Sequence, residues 1–346
     1  MTKENAWNPG EYAQPLVSVI ITTYRNEAYL PRAVESVLYQ TYQNIELIVV
    51  DDNQPGTEER RRTEAVMAQY PQAVYIRHPE NRNGAAARNT GINVSRGKYI
   101  AFLDNDDFYF STHIADCVDA LARNPACSAV LCGVIKICGG VVWDRILPKN
   151  GEDFARELLF SETALGTGSN LFVDASCVRA IGGFDEHFFR HQDIEFGLRY
   201  FSRYKAVTRA QVSIVKEMEG YSNAPDYTRF LLAKQMLWEK FSDMLAALSK
   251  EDSASYFAGQ YGALLYAACK GGNREQIAEA AAKRTQYKPL GKKERLLLAC
   301  SRANLFPIYE AEKRIIKQMR SKTLQKETEA LLHEEDKARL RSALGK

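Results

Sequence analysis

Residues 84–107 read GAAARNTGINVSRGKYIAFLDNDD, and how that stretch divides decides the fold. Gly84 opens a small-residue segment that carries one cation, Arg88. Residues 99–103 form a short apolar run of strand character, with Gly97 before it and a polar cluster after it. Asp104, Asn105, Asp106 and Asp107 then stand at the C-terminal end of that strand. Three carboxylates in four residues repel one another. A fold tolerates this best where a cation binds or where all three are solvated. Ligands of open α/β sheets sit at the carboxyl ends of strands. The cluster is therefore an expected site for a hard divalent cation, which prefers oxygen ligands. An acidic turn capping the next helix accounts for the same residues without any ligand.

Working outward, the same alternation recurs on the N-terminal side. Residues 17–22, VSVIIT, are a β-rich apolar run. Residues 27–40 carry helical apolar spacing through Leu30, Val34, Val37 and Leu38, with Pro31 in the first turn. Residues 45–50 predict a second strand ending in Asp51, Asp52 and Asn53, residues 58–70 a polar helix and residues 73–76 a third strand. Residues 85–95 predict the helix that precedes the 99–103 strand. Strand and helix in alternation imply an α/β fold with a mostly parallel central sheet. Each strand ends in polar residues, which places Thr22, Tyr24, Asp52 and Asp106 along one sheet edge.

Beyond Asp107 the alternation loosens. Residues 112–123 and 192–204 predict helices, and residues 170–173 and 206–215 short strands. Residues 129–137 and 141–146 predict an antiparallel pair joined through Gly139-Gly140. A short helix opens at Asp174 and stops at Gly182-Gly183. From about Asp226 the strand patterning ends and Ala, Leu, Lys, Arg and Glu dominate. Two domains are expected: residues 1–225, an α/β domain behind a loose leader of about 15 residues, and residues 226–346, all helical. Residues 283–346 hold 17 Lys or Arg against 8 Asp or Glu, so the basic residues concentrate there.

The bulk numbers exclude several classes. Hydrophobic content of 45% and charged content of 26% are those of a globular protein. A net charge of +3 does not imply a nucleic-acid partner. The N-terminus lacks an apolar core of the secretory kind, and no run approaches 18 apolar residues. Seven cysteines without a CxxC pair fit reduced thiols in a cytoplasm better than a disulfide frame or a zinc site. Residues 91–98, GINVSRGK, are one residue too long for a P-loop and lack the Ser/Thr after the lysine. Gly166-Thr167-Gly168 is followed by Leu171 where a dinucleotide fingerprint needs its third glycine.

Three stretches, VSVIITTYRNEAYLPRAVESVLYQTYQNIELIVVDDN, NGAAARNTGINVSRGKYIAFLDNDD and IGGFDEHFFRHQDIEFGLRY, follow one another in this order. Together they resemble glycosyltransferase family 2, of the GT-A fold, over most of residues 16–201. The resemblance implies a nucleotide-sugar donor, read as a UDP-sugar, held by Thr22, Tyr24, Glu27, Asp52, Arg88, Asp104 and Asn105. The chemistry of these residues agrees with it. Tyr24 can stack on a base, Asp52 can accept from a uracil imide N–H, and Arg88 can neutralise diphosphate oxygens. Asp106 is the implied ligand of a Mn²⁺ or Mg²⁺ cofactor that bridges the phosphates. Asp193 is implied as the general base, in a Gln192-Asp193 pair where the family usually has Glu-Asp. Capping of its helix is the ordinary role of such an aspartate. The family's histidine after the last strand is missing. No histidine lies between His191 and His333, and VKEMEGYSNAPD offers Glu217 and Glu219 instead.

The resemblance thus implies an inverting hexosyl- or N-acetylhexosaminyltransferase acting on a glycan or lipid-linked acceptor in bacterial surface polysaccharide synthesis. Two other readings stand beside it. A nucleotidyltransferase needs a Gly-rich, lysine-bearing loop after the first strand, and TTYRNEAYL has none. A non-catalytic glycan or sugar-nucleotide binder would keep Asp52 and Asp106 without needing Asp193. The basic tail sets Ile308, Ile315, Ile316 and Met319 beside Lys313, Arg314, Lys317 and Arg320. That spacing suits either an anionic membrane surface or packing, including a homodimer.

Overall fold

The computed structural model describes residues 14–149, 153–161, 163–218, 226–332 and 334–345. Most of the expected leader and Glu219 lie outside these residues. The chain divides into two compact units, Met1–Met218 with Thr323–Lys346, and Glu219–Lys322. The first unit thus takes back the last stretch of the region expected to be one continuous helical domain.

Among the described residues, the first unit is built on a nine-stranded sheet. β1 (Val17–Thr23), β2 (Ile45–Asp51), β3 (Val74–Arg77) and β4 (Tyr99–Asp104) are mutually parallel, in the order β3-β2-β1-β4. They alternate with α1 (Leu30–Leu38), α2 (Glu58–Met67) and α3 (Gly84–Val94). β1 and β4 are buried along nearly their whole length, as strands covered on both faces must be. The helices follow from local signals. Pro31 sits in the first turn of α1, Thr57 caps α2 through Arg60 N–H, and Asn83 caps α3 through the amides of Ala85 and Ala86.

Beyond β4 the sheet is mixed. The remaining strands are β5 (Phe108–Tyr109), β6 (Ala129–Cys138), β7 (Val141–Ile146), β8 (Phe172–Asp174) and β9 (Ala206–Glu217). β8 pairs antiparallel with both β4 and β6, and β9 runs parallel to β6. β6 and β7 form the expected hairpin, in which Gly139 and Gly140 both take positive φ, +56° and +74°. A two-residue hairpin turn of that hand favours glycine at both places. The helices of this half are α4 (His113–Arg123), α5 (Phe154–Phe160), α6 (Ala175–Ala180) and α7 (Gln192–Phe201).

The second unit contains α8 (Tyr227–Lys240), α9 (Ser242–Ala246), α10 (Lys250–Gly271), α11 (Arg274–Tyr287) and α12 (Lys292–Arg302), and the boundary at Lys322 falls inside α13 (Phe306–Glu329). Its core is Tyr227, Leu264, Leu265, Ala268, Ile277, Ala280, Leu297 and Leu298. α14 (Glu334–Ala343) belongs to the first unit. There Leu332, Leu340 and Leu344 join Phe108, Ile135, Ile137, Val142 and Val215 in one apolar cluster. Buried Asp336 accepts from Ser111 N–H at 2.9 Å and from its hydroxyl at 3.1 Å. This docking is invisible to composition, which sees only a charged helix.

Candidate active site

The carboxyl ends of β1, β2 and β4 lie side by side, with Thr22 in register with Val50 and with Asp104. Around them the structure sorts the expected residues into two groups.

The first group is satisfied by its own chain. Asp52 is buried and accepts from His78 Nδ1 at 2.7 Å, and from Asn81 Nδ2, Arg82 N–H and Asn83 N–H at 2.9 Å each. Four donors are the full complement of a carboxylate. Asp52 therefore shapes the turn before α3 rather than standing free for a base. Asn105 is buried and ties down the loop after β1 by donating to Thr23 Oγ1 at 3.0 Å and Arg25 O at 2.8 Å. That loop carries Arg25 and Asn26 at positive φ. Glu27 pairs with Arg62 at 3.0 Å. Tyr24 differs from these in being 45% exposed, with the Arg25 guanidinium over its ring at 5.0 Å.

The second group is charged and under-compensated. One oxygen from each of Asp104, Asp106 and Asp107 lies within 4.8 Å of the others. Arg88 donates to Asp104 at 2.5 Å and to Gln192 Oε1 at 3.1 Å, and its guanidinium lies over the Phe184 ring at 5.3 Å. Gly84 makes room for this, since a Cβ there would stand 3.2 Å from Arg88 Nη1. Burial works to raise Asp104, but Arg88 and then Lys216 overcome it and hold its carboxyl below the usual range. Asp106 has no such cation in contact. Burial first, then the charges of Asp107 and Asp104, push its pKa up to about 7. Asp107 accepts from Thr167 Oγ1 at 2.7 Å and Ser169 Oγ at 2.6 Å, while its buried Oδ1 has no partner.

Asp193 belongs to this second group. It is the second residue of α7, whose N-cap is His191 in the left-handed region, so Asp193 is not the capping residue. Burial raises its carboxyl and Arg88 opposes that rise. The small turn Gly168–Asn170 passes close by. A Cβ on Gly168 would stand 3.5 Å from Asp193 Cβ, 3.6 Å from Arg88 Nη2 and 3.9 Å from Asp104 Oδ2. Gln192 accepts from Arg88 Nη1 at 3.1 Å and donates to Phe188 O at 2.7 Å.

Two of the neighbours were not foreseen. Lys216, near the end of β9, donates to Thr167 Oγ1 at 3.3 Å, and the carboxylates of Asp107, Asp104, Asp106 and Asp193 hold its ammonium charged well above the ordinary range. Thr167 lies in a segment noticed only for failing as a dinucleotide fingerprint. No local pattern brings residue 216 to residue 107; the β5–β9 pairing, Phe108 with Val215, does so. Glu217, offered by the sequence as a replacement metal ligand, pairs with Arg32 at 3.1 Å, and Arg32 also donates to Asp106 O at 3.0 Å.

The donor set fits a divalent cation. Asp104, Asp106, Asp107 and Asp193 face two cations, Arg88 and Lys216, so the site is short of two positive charges. The unpartnered Asp107 Oδ1 and the displaced pKa of Asp106 both record that shortage. His113, Cys117 and Cys132 form another close group of ligand types, but all three are fully buried, with the two sulfurs 3.7 Å apart.

Residues 18–182 match the family model described as Glycosyl transferase family 2. An uncharacterized glycosyltransferase of Rickettsia felis is 31% identical over 188 residues, 52% of this chain and 30% of its own length. One of Rickettsia prowazekii is 27% identical over 248 residues, 69% of this chain and 74% of its own. The glycosyltransferase GlyG of Streptococcus pneumoniae is 44% identical over 93 residues, 27% of this chain and 30% of its own. The chain spans less than a third of the length of the first curated relatives it matches, 30%, 15% and 31%. Among solved structures, S. aureus TarS 1-349 in complex with UDP-GlcNAc superposes with a TM-score of 0.53 at 14% identity, over 84% of this chain and 92% of that one. The mannosyltransferase PcManGT of Pyrobaculum calidifontis, in complex with GDP-Man and Mn²⁺, gives 0.51 at 18% identity, over 87% and 90%. The fold is GT-A, and the domain at residues 18–182 is similar to glycosyltransferase family 2.

Proposed function

We propose that this protein is an inverting glycosyltransferase that moves a sugar from a nucleoside-diphosphate donor, read as a UDP-sugar, to a hydroxyl of a glycan or lipid-linked glycan. The observation that carries the reading is the pairing of Asp193 with an acidic cluster short of positive charge. A carboxylate whose pKa is raised by burial is a better base for a hydroxyl than an exposed one. In a single displacement the acceptor oxygen forms its bond to the anomeric carbon as the bond to the diphosphate breaks. The acceptor proton passes to Asp193, and the electron pair leaves with the diphosphate. One base and no covalent sugar–enzyme intermediate give inversion.

The rest of the site supports that step. Arg88, braced by Asp104 and Gln192, presents its guanidinium to the leaving phosphate. Tyr24 is exposed for stacking on the base, and Asp52 and Asn105 fix the loops on which Tyr24 and Arg88 stand. Asp106, with Asp104 and Asp107 beside it, would hold a Mn²⁺ or Mg²⁺. Such an ion supplies charge that offsets the phosphates. The two structural neighbours, one in complex with UDP-GlcNAc and the other with GDP-Man, agree with a nucleotide-sugar donor. Surface polysaccharide assembly on the cytoplasmic side of a membrane remains the family setting that suits such an acceptor; among the described residues no helix is long and apolar enough to cross a bilayer.

The test is a panel of UDP- and GDP-sugars incubated with the protein and Mn²⁺, with release of nucleoside diphosphate as the readout. One or a few donors should be hydrolysed slowly and consumed faster with a hydroxyl acceptor. Binding of a donor with no turnover on any acceptor would favour the non-catalytic binder instead.

A further inference from the structure

Resting on the donor-site reading above, we propose that Lys216 is a donor-binding residue, a tethered cation that meets the diphosphate and lets the site hold a nucleotide without a divalent ion. The argument starts from how the two cations of the site are used. Arg88 is braced in place by its neighbours, donating to Asp104 at 2.5 Å and to Gln192 at 3.1 Å. Lys216 has no such charged brace. It stands among four carboxylates, yet its one hydrogen bond among the described residues goes to the neutral Thr167 Oγ1, at 3.3 Å.

Among the carboxylate oxygens of the cluster, Thr167 and Ser169 take up Asp107 Oδ2 and Arg88 takes up Asp104 Oδ1, while Asp107 Oδ1 is left without a hydrogen-bond partner. A lysine placed only to neutralise this cluster would close on that open oxygen as an ion pair, but Lys216 bonds to Thr167. Lys216 instead keeps two of its three N–H donors uncommitted while the surrounding charge keeps it protonated.

A compact ammonium with spare donors suits a phosphate oxygen. A free divalent ion at Asp106 is the wrong partner for it, since the two cations repel. An anionic diphosphate reconciles them, by lying between Lys216 and the Asp106 side of the site.

This assignment makes two effects move in opposite directions, which a structural role would not. In Lys216→Met, with the stem kept and the charge removed, UDP affinity measured calorimetrically in EDTA should fall on the order of tenfold or more. Affinity for Mn²⁺ alone, followed by the electron paramagnetic resonance of the free ion, should hold or tighten, because a repelling charge is gone. Lys216→Arg should restore most of the UDP binding. Unchanged UDP affinity in the Met variant overturns the proposal. So does a parallel loss of UDP and Mn²⁺ binding with a lowered melting temperature, which marks a folding role. Wild-type protein that binds UDP only with Mn²⁺ also overturns it, while leaving the donor site standing. Wild-type protein that binds neither UDP nor GDP under either condition removes the donor site itself, and the role of Lys216 with it.

Discussion

Two acidic strand ends sit side by side on this sheet and have opposite fates. At the end of β2, Asp52 accepts four hydrogen bonds from its own chain and has nothing left to offer. At the end of β4, Asp106 and Asp107 have too few partners, with one oxygen orphaned and one pKa displaced to about 7. Both clusters read alike in sequence, as aspartates following an apolar strand. The difference teaches that a saturated carboxylate is architecture and a frustrated one is an invitation to a ligand.

The comparison breaks most visibly at Asp193, on the frustrated side. Asp193→Asn keeps the shape and removes the basicity, so transfer should fall about 10²–10⁴-fold while UDP affinity and melting temperature stay close to wild type. Turnover near wild type would return Asp193 to a purely helical role. On the saturated side, Asp52→Asn should cost stability instead. The new amide N–H₂ would face donors, leaving some of them unpaired, a loss of about 2–4 kcal/mol. Urea denaturation should show it, and an unchanged midpoint would mean the hydrogen bonds around Asp52 are replaceable.

The third expectation concerns pH. The folded-state pKa of Asp106 stands above its ordinary 3.8, at about 7. Without a cation, this group contributes stability that is fully present below pH 4 and is lost as pH rises through 7. In EDTA the wild-type melting temperature should therefore rise between pH 8 and pH 5.5 relative to Asp106→Asn. At pH 8 the variant should be the more stable protein, by roughly 1–3 kcal/mol. Mn²⁺ should remove that gap by stabilising wild type alone. Parallel pH curves in EDTA would mean that the carboxylates at the end of β4 are relieved some other way.

The smallest effect belongs to the second unit. Ile308, Ile315, Ile316 and Met319 on α13 are 64%, 57%, 44% and 75% exposed. Flotation with anionic vesicles that weakens from low to physiological salt, and is lost in Ile315→Glu/Met319→Glu, would place this face on a membrane surface. A concentration-dependent dimer lost in the same variant, without flotation, would place it against a second copy.

Local chemistry made much of the site legible. Strand ends follow from apolar runs that stop at charges, which put Asp52, Asp104 and Asp106 on one sheet edge, whereas Arg88 and Asp193 drew their roles from the resemblance to glycosyltransferase family 2. What stayed hidden depends on pairing over distance. The insertion of antiparallel β8 between β4 and β6, and the arrival of Lys216 beside Asp107, are set by register between strands far apart in sequence. Periodicity carries no information about that. The sequence also could not tell Asp52 from Asp106, because the donors that saturate Asp52 are mostly backbone and amide groups of residues 78–83 that any loop possesses.

The docking of α14 has a consequence for biosynthesis. Leu324, Leu332, Leu340 and Leu344 complete the apolar cluster around β5, β6 and β9, but β9 ends at Glu217. A ribosome adding ~5–20 residues per second needs on the order of 5–20 s to make the intervening stretch. For that interval a nascent sheet presents Phe108, Ile137 and Val215 uncovered, a greasy surface awaiting a lid not yet translated. Chaperone dependence, and aggregation of chains stalled before residue 323, are the traits to expect of a domain whose opening and closing lines are written so far apart.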